Sequence, residues 1–241
     1  MSKLNYIRNL GAKAKKASQD LSILSEKKKN AVLKSFYLNI KKNSGKILKA
    51  NKIDVILSKK KRLKDNLIDR SMLNKDRIKS ILNSIEEVIS FKDPTHKVIA
   101  KWKRPNNLII NRVTMPIGVL GVIYEARPNV TSDVAILSFK SGNSAILRGG
   151  KEALKSNITL SNLFRASLKK NNINQDCIQL VNNTDIKIVD LMLSKMSDYI
   201  DIIIPRGGKS LVKKVLELSK VPTIGHLEGL CHVYLDNQYN Y

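Results

Sequence analysis

The chain has 241 residues, and 44 Lys and Arg against 20 Asp and Glu give it a net charge of +24. Hydrophobic residues make up 42% and charged residues 27%, a globular balance that excludes wholesale disorder and leaves ample material for a core. No apolar run reaches the ~18–20 residues of a membrane helix. The opening MSKLNYIRNL has no apolar stretch and no small-residue cleavage site, so the expected address is the cytoplasm, with no membrane partner. Two cysteines, Cys177 and Cys231, are too few for a disulfide framework and agree with a reducing compartment.

A basic chain points first to nucleic acid or an anionic surface. The placement of the charge argues otherwise. Residues 1–104 carry 28 basic and 9 acidic residues, whereas residues 105–241 carry 16 and 11. The basic residues are 34 Lys and only 10 Arg, although Arg is the side chain that forks onto phosphates and base edges. No aromatics interleave the basic runs, as a stacking surface for single strands requires. Lys, Ile and Asn, all encoded by A/T-rich codons, make up over a third of the chain. A solvated lysine surface is therefore the preferred reading, and nucleic-acid binding stays as a remote alternative.

Residues 1–92 read as helices. Leu33, Phe36, Tyr37 and Ile40 recur at helical spacing, as do Ile78, Ile81, Leu82, Ile85 and Ile89. A break is expected at Asn43-Ser44-Gly45 and an N-cap at Asn74. These helices are expected to pack on another layer, and the sequence shows no chemistry in them. Residues 97–115 hold two β-like stretches around Pro105-Asn106-Asn107, a β-hairpin that serves either as an assembly arm or as a plain surface element.

From residue 116 the pattern alternates. Strands are expected at 117–124, 144–148, 177–181, 199–204 and 221–224, with helices over 131–141, 151–170, 185–196 and 208–218. This is the signature of βαβ units in an α/β fold with a doubly wound parallel sheet. Such sheets bind ligands in the loops that leave the carboxyl ends of the strands. CHVYLD (231–236) reads as one more strand.

Three strand-to-helix junctions carry the candidate chemistry. In the first, Glu125-Ala126-Arg127-Pro128-Asn129, Pro128 disfavours helix at Arg127, which either faces an anionic group or sits on a structural turn. In the second, Arg148-Gly149-Gly150-Lys151, two glycines allow backbone amides to approach a phosphate at a helix N-terminus, with two full charges alongside. Plain Gly-Gly punctuation is the competing reading. The third, Pro205-Arg206-Gly207-Gly208-Lys209, repeats the same physics. The G-x-G-x-x-G fingerprint is absent, which argues against an ordinary Rossmann dehydrogenase. Cys231 and His232 are adjacent, but neighbours on a strand point to opposite faces, so His232 could not serve directly as base for Cys231. The three histidines, His96, His226 and His232, lack metal-ligand spacing, and no metal is expected.

The run MPIGVLGVIYEARPNVTSDVAILSFKSGNSAILRGGKEALKSN, together with IIIPRGGKSLVKKV and VPTIGHLEGLCHVYLD, resembles the gamma-glutamyl phosphate reductases of the aldehyde dehydrogenase superfamily. The resemblance covers nearly the whole chain. It implies an aldehyde-dehydrogenase-like fold and NADPH-dependent reduction of L-glutamyl 5-phosphate to L-glutamate 5-semialdehyde and phosphate, a step of proline biosynthesis. It further implies that Arg148, Gly149, Gly150 and Lys151 meet the adenosine ribose or its phosphate. Gly207 and Gly208 correspond to the segment near the pyrophosphate, and Glu125, Arg127, Pro128 and Asn129 lie beside the nicotinamide and the reacting carbonyl. The hairpin resembles the superfamily's oligomerisation arm, so a homo-oligomer is implied for the full-length protein.

The same resemblance divides the chain into a cofactor domain over 1–225, made of a helical part (1–96), the hairpin (97–115) and the sheet (116–225), and a first strand of a catalytic domain over 226–241. The family's nucleophilic cysteine attacks the acyl phosphate, and hydride reduces the resulting thioester. That cysteine is expected beyond residue 241, since Cys231 matches a different position. The chain is thus expected to be a fragment or the product of a truncated gene, with a catalytically inactive, nucleotide-binding remnant as the alternative to an enzyme seen in part.

Overall fold

The computed structural model describes residues 2–225, together with His232 and Tyr234. The strand expected at 231–236 and Cys231 lie outside the described residues. Five helices come first: α1 (Lys3–Ser22), α2 (Glu26–Lys42), α3 (Ser44–Lys60), α4 (Asp65–Ser71) and α5 (Lys75–Ser90). Asn74 caps α5 as expected, its side chain accepting from the Arg77 amide at 2.8 Å. The break between α2 and α3 falls at Asn43. The stripes are the buried faces: Leu33, Phe36 and Ile40 on α2, and Ile78, Ile81 and Ile85 on α5, lie in one core cluster.

The hairpin pairs β1 (Val98–Lys103) antiparallel with β2 (Ile109–Val113), with one irregularity between Val98 and Ala100. Every residue of β2 is exposed, apolar ones included.

The sheet region contains β3 (Val119–Tyr124), α6 (Pro128–Lys140), β4 (Ser144–Arg148), α7 (Leu154–Lys170), β5 (Ile178–Leu180), α8 (Ile186–Lys195), β6 (Ile202–Arg206) and α9 (Lys209–Leu218). The four strands run parallel in the order β5-β4-β3-β6. On one face Leu120, Val122, Ala145, Leu147 and Ile178 share a core with α2, α5, α6 and α7. On the other, Val119, Ile123, Ile146 and Ile203 share a core with α1, α8 and α9. This is the doubly wound arrangement, with the first five helices supplying extra cover.

Several boundaries differ from the sequence expectation, each for a local reason. Strand β3 starts at Val119 rather than Ile117, because Gly118 turns the chain at φ 126°, a conformation that L side chains rarely adopt. Helix α6 starts three residues early, since Pro128 occupies its first position, where no amide hydrogen is needed. Residues Tyr199 and Ile200 are not in β6. Their amides donate to the Met196 carbonyl at 2.9 and 2.8 Å, and the strand runs on through Pro205 instead. The stretch 221–224 forms a single parallel bridge, Ile203 to Thr223, not a strand. Ahead of α7 and β5 the chain makes single 3₁₀ turns, Lys151–Ala153 and Gln175–Cys177.

Two lysines depart from the solvated surface. Lys29 is fully buried, and its ammonium donates to Asp93 Oδ2 at 2.9 Å and Thr95 Oγ1 at 3.2 Å. Lys140 donates to Glu26 Oε1 at 3.2 Å and Asn30 Oδ1 at 2.8 Å. Together they tie α2 to the end of α6 and to the root of the hairpin. Burial pushes the Asp93 carboxyl up, but hydrogen bonds from Lys29 and Thr95 outweigh it and hold the group below its ordinary range.

Two outcomes test this packing. Phe164 meets the rings of Phe36 and Phe139 edge-on at centroid distances of 4.8 and 5.6 Å. Phe164→Ala should cost about 3–5 kcal/mol in urea denaturation. Because the folded Asp93 carboxyl titrates below its unfolded value, its contribution is present above the ordinary carboxylate range and is lost as pH falls through the folded pKa. Asp93→Asn should therefore flatten the loss of stability in acid relative to the parent chain.

Candidate active-site crevice

In an open parallel sheet, the crevice opens where adjacent strands send their helices to opposite faces. Here that point lies between β3 and β6, and their register brings Tyr124 opposite Arg206. All three loops singled out in the sequence converge there. A cavity of about 390 Å³ lies at the strand ends, lined by Glu125, Arg148, Gly150 and Lys151 from the first two loops. Its apolar wall comes from Leu63, Leu67, Ile186, Val189 and Leu211. A smaller cavity of about 100 Å³ adjoins it, lined by Arg70, Glu125, Arg127, Arg206, Gly207 and Gly208.

The glycines of the second loop are there for close approach. A methyl on Gly149 would sit 2.8 Å from the Tyr124 ring and against the Asn157 amide. One on Gly150 would sit 2.8 Å from the backbone nitrogen of Ala126. The Gly-Gly pair thus lets the β4 loop pack on the β3 loop, a structural role beside any ligand contact. Tyr124 itself is buried, its hydroxyl 2.7 Å from Thr131 Oγ1, and Thr131 donates to Asn157 at 2.9 Å.

Arg148 is more a strut than a free cation. Its Nη1 donates to the Gly149 carbonyl and its Nη2 to the Thr184 carbonyl at 3.1 Å, tying β4 to the loop before α8. Burial holds its pKa below the ordinary arginine value, opposed by the nearby Glu152 charge. Its buried Nε has no partner among the described residues. Lys151 is exposed at the rim of the cavity.

Both helix N-termini of the second and third loops hold internal carboxylates. Asp54, buried on α3, accepts from the Lys155 and Ser156 amides of α7 at 3.1 and 2.8 Å and from Ser156 Oγ at 2.7 Å. Burial nonetheless pushes its pKa up, these hydrogen bonds offsetting part of the effect. The amides expected to greet a phosphate at α7 are thus satisfied from within, and the charge at that loop is left to Arg148 and Lys151. At α9, Glu125 Oε1 accepts from the Gly208 amide at 2.8 Å. Pro128 is buried at the start of α6, and Asn129 Nδ2 donates to Asp133 Oδ2 one turn along at 3.0 Å.

The chain is 45% identical over 228 residues to a gamma-glutamyl phosphate reductase of Allorhizobium ampelinum, covering 95% of this chain and 53% of that protein. It is 43% identical over 241 residues to the one from Clostridium tetani, covering all of this chain and 56% of that one. The crystal structure of gamma-glutamyl phosphate reductase from Thermotoga maritima superposes with a TM-score of 0.88 at 36% identity, covering 92% of this chain and 53% of that one.

This chain belongs to the gamma-glutamyl phosphate reductase family. It spans about half the length of the relatives it matches. A probable aldehyde dehydrogenase from Listeria monocytogenes shares the fold at a TM-score of 0.69 and 18% identity, with coverage of 93% of this chain and 46% of that one. No family model matches the chain.

Leu63, Leu67 and Arg70 come from the helical part in which the sequence shows no chemistry, yet they line the crevice. No local pattern distinguishes them from core or surface residues; only the placement of α4 does. Cys177 is fully buried, and burial pushes its thiol up to about 12, which removes it as a nucleophile. Among the described residues no group of His, Cys, Asp and Glu could hold a metal. The cap of α7 is directly testable: Asp54→Ala should cost about 1–2 kcal/mol in chemical denaturation, whereas Asp54→Asn, which keeps an acceptor, should cost less.

Proposed function

We propose that the chain is the dinucleotide-binding part of an NADPH-dependent gamma-glutamyl phosphate reductase, whose whole form reduces L-glutamyl 5-phosphate to L-glutamate 5-semialdehyde and phosphate in proline biosynthesis. The observation that carries the reading is the cavity of about 390 Å³ at the ends of β3 and β4, with an apolar wall and a rim that carries Arg148 and Lys151 beside Glu125 and Glu152. The residues fit the group. Leu63, Leu67, Ile186 and Val189 offer a flat apolar berth for an adenine ring. Lys151, exposed at the rim, and the unpartnered Nε of Arg148 suit a ribose phosphate. The Gly207-Gly208 turn at the α9 N-terminus, flanked by Arg127 and Arg206, suits a diphosphate. Glu125 holds that amide in the structure, so the diphosphate takes its place there.

When bound, NADPH supplies the hydride. The chain's own residues bind and orient: Gly149 and Gly150 let the loops close, Pro128 starts α6, and Arg127, which lines the small cavity, and Asn129, which lines the cavity behind it, are the residues proposed to lie toward the reacting carbonyl. The nucleophilic thiolate of the reaction is assigned to a part of the protein other than the described residues, where Cys177 is too deeply buried to act. The exposed apolar ribbon of β1 and β2 supports homo-oligomer assembly of the whole enzyme. The cytoplasmic address follows the same reading, and no helix among the described residues is long and apolar enough to cross a membrane.

NADPH fluorescence titration of the purified chain tests this. NADPH should bind at least tenfold more tightly than NADH, and Lys151→Glu should abolish that preference, the scale expected for one charge-assisted contact of about 1.5–3 kcal/mol. Absence of NADPH binding at millimolar concentration would contradict the reading.

A further inference from the structure

A third cavity, of about 290 Å³, lies between the end of α4, the first half of α5 and the first turns of α6. It is separate from the adenine berth, and it shares Arg70 and Arg127 with the small arginine-lined cavity at the α9 terminus. Its polar groups divide into spent and unspent ones. Arg77 is spent: it donates to both carboxylate oxygens of Asp69 at 3.0 and 3.2 Å and to the Met72 carbonyl at 2.7 Å. Arg70, Arg127 and Asp133 line the same space and make no ion pair among the described residues.

Asp133 is the informative one. It projects from α6 one turn after Asn129, half-buried, and its Oδ2 accepts from Asn129 Nδ2 at 3.0 Å. Oδ1 has no partner among the described residues. Burial pushes the carboxyl above its ordinary range, the sign of a charge that lacks a compensating cation. Across the cavity, Ser80 and Ser84 stand one turn apart on α5 and offer hydroxyl oxygens. The set is therefore one carboxylate, two hydroxyl oxygens (Ser80 giving its own proton to the Asp76 carbonyl at 3.1 Å) and, lining the same cavity, two guanidinium groups. This pairing of a desolvated acid with two arginines is complementary to a group carrying an ammonium and a carboxylate on one carbon.

We propose that this cavity is the subsite for the α-amino acid head of the substrate, with Asp133 accepting the ammonium and Arg70 and Arg127 taking the α-carboxylate. The inference deepens the function proposed above and rests on it for the identity of the substrate. It makes Asp133 a specificity-determining residue: an acyl phosphate without the α-ammonium leaves that carboxylate buried and unpaired. Placing the head between α5 and α6 aims the side chain of the amino acid past Arg127 toward the crevice. A substrate lying this way presents its acyl end to the end of β3.

Saturation-transfer NMR of the full chain tests this with L-glutamate, glutarate and 4-aminobutyrate as probes and NADPH titrated into the same samples. L-glutamate should bind in the millimolar range, and both analogues, each lacking one charge of the head, at least tenfold more weakly. Asp133→Asn should lose glutamate binding at least tenfold with NADPH binding kept, and Arg70→Gln, an exposed position, should lose it severalfold. Glutarate binding as well as glutamate, or an unchanged Asp133→Asn, would overturn the proposal. NADPH binding without glutamate binding overturns this inference and leaves the cofactor reading standing. Glutamate binding without NADPH binding supports the subsite and contradicts the cofactor reading, and a chain that binds neither contradicts both.

Discussion

Strand β3 is the constraint that organises the molecule. All six of its residues are buried, with β4 on one side and β6 on the other. A parallel strand covered on both faces and both edges needs two layers of helices, and α6 and α7 with α8 and α9 are not enough to close them. The five N-terminal helices complete the cover: α2 and α5 close one face, and α1 reaches the other with Ile7 and Ala14. The lysine-rich start of the chain is thus structural first. Its apolar stripes face the sheet and its charge faces solvent, so the large positive balance needs no nucleic-acid partner.

The same covering layer reaches the chemistry. Asp54 from α3 satisfies the first amides of α7, and the end of α4 places Arg70 between two cavities. At the other helix terminus Glu125 occupies the amide of Gly208. One terminus is closed by an acid buried on another helix. The other is closed by an acid on a crevice loop, where exchange for a ligand's phosphate requires only a side-chain rotation. A helix terminus already satisfied by a buried carboxylate is poor at recruiting a second anion, because the positive end of the dipole is already compensated. The crevice is therefore asymmetric: the terminus proposed for the diphosphate is at α9, and the charge at the α7 side is carried by side chains.

Much of this was legible in the sequence. The stripes of α2 and α5, the cap at Asn74, the hairpin and the order of strands and helices all follow from periodicity and punctuation. The two glycine loops announced where the strands end. What sequence could not show was which glycines serve packing. Gly149 and Gly150 are small because Tyr124, Asn157 and the Ala126 backbone press on them, contacts between segments far apart in the chain. Nor could it show that Arg148 would be buried as a strut, or that Leu63, Leu67 and Arg70 would reach the crevice, since these depend on how α4 lies against the sheet. The strand misplaced at 199–204 has a similar origin: an apolar run cannot reveal that its first residues turn back onto Met196.

In the proposed function the crevice at the strand ends holds the dinucleotide, and Glu125 yields its place at α9 to the diphosphate. A crystal structure of the chain with NADP bears on it most directly. The expected result is adenine against Leu63, Leu67 and Ile186, the ribose phosphate beside Lys151, and the Glu125 carboxylate moved off the Gly208 amide. Dinucleotide bound elsewhere, or Glu125 still on that amide with the crevice empty, would contradict it.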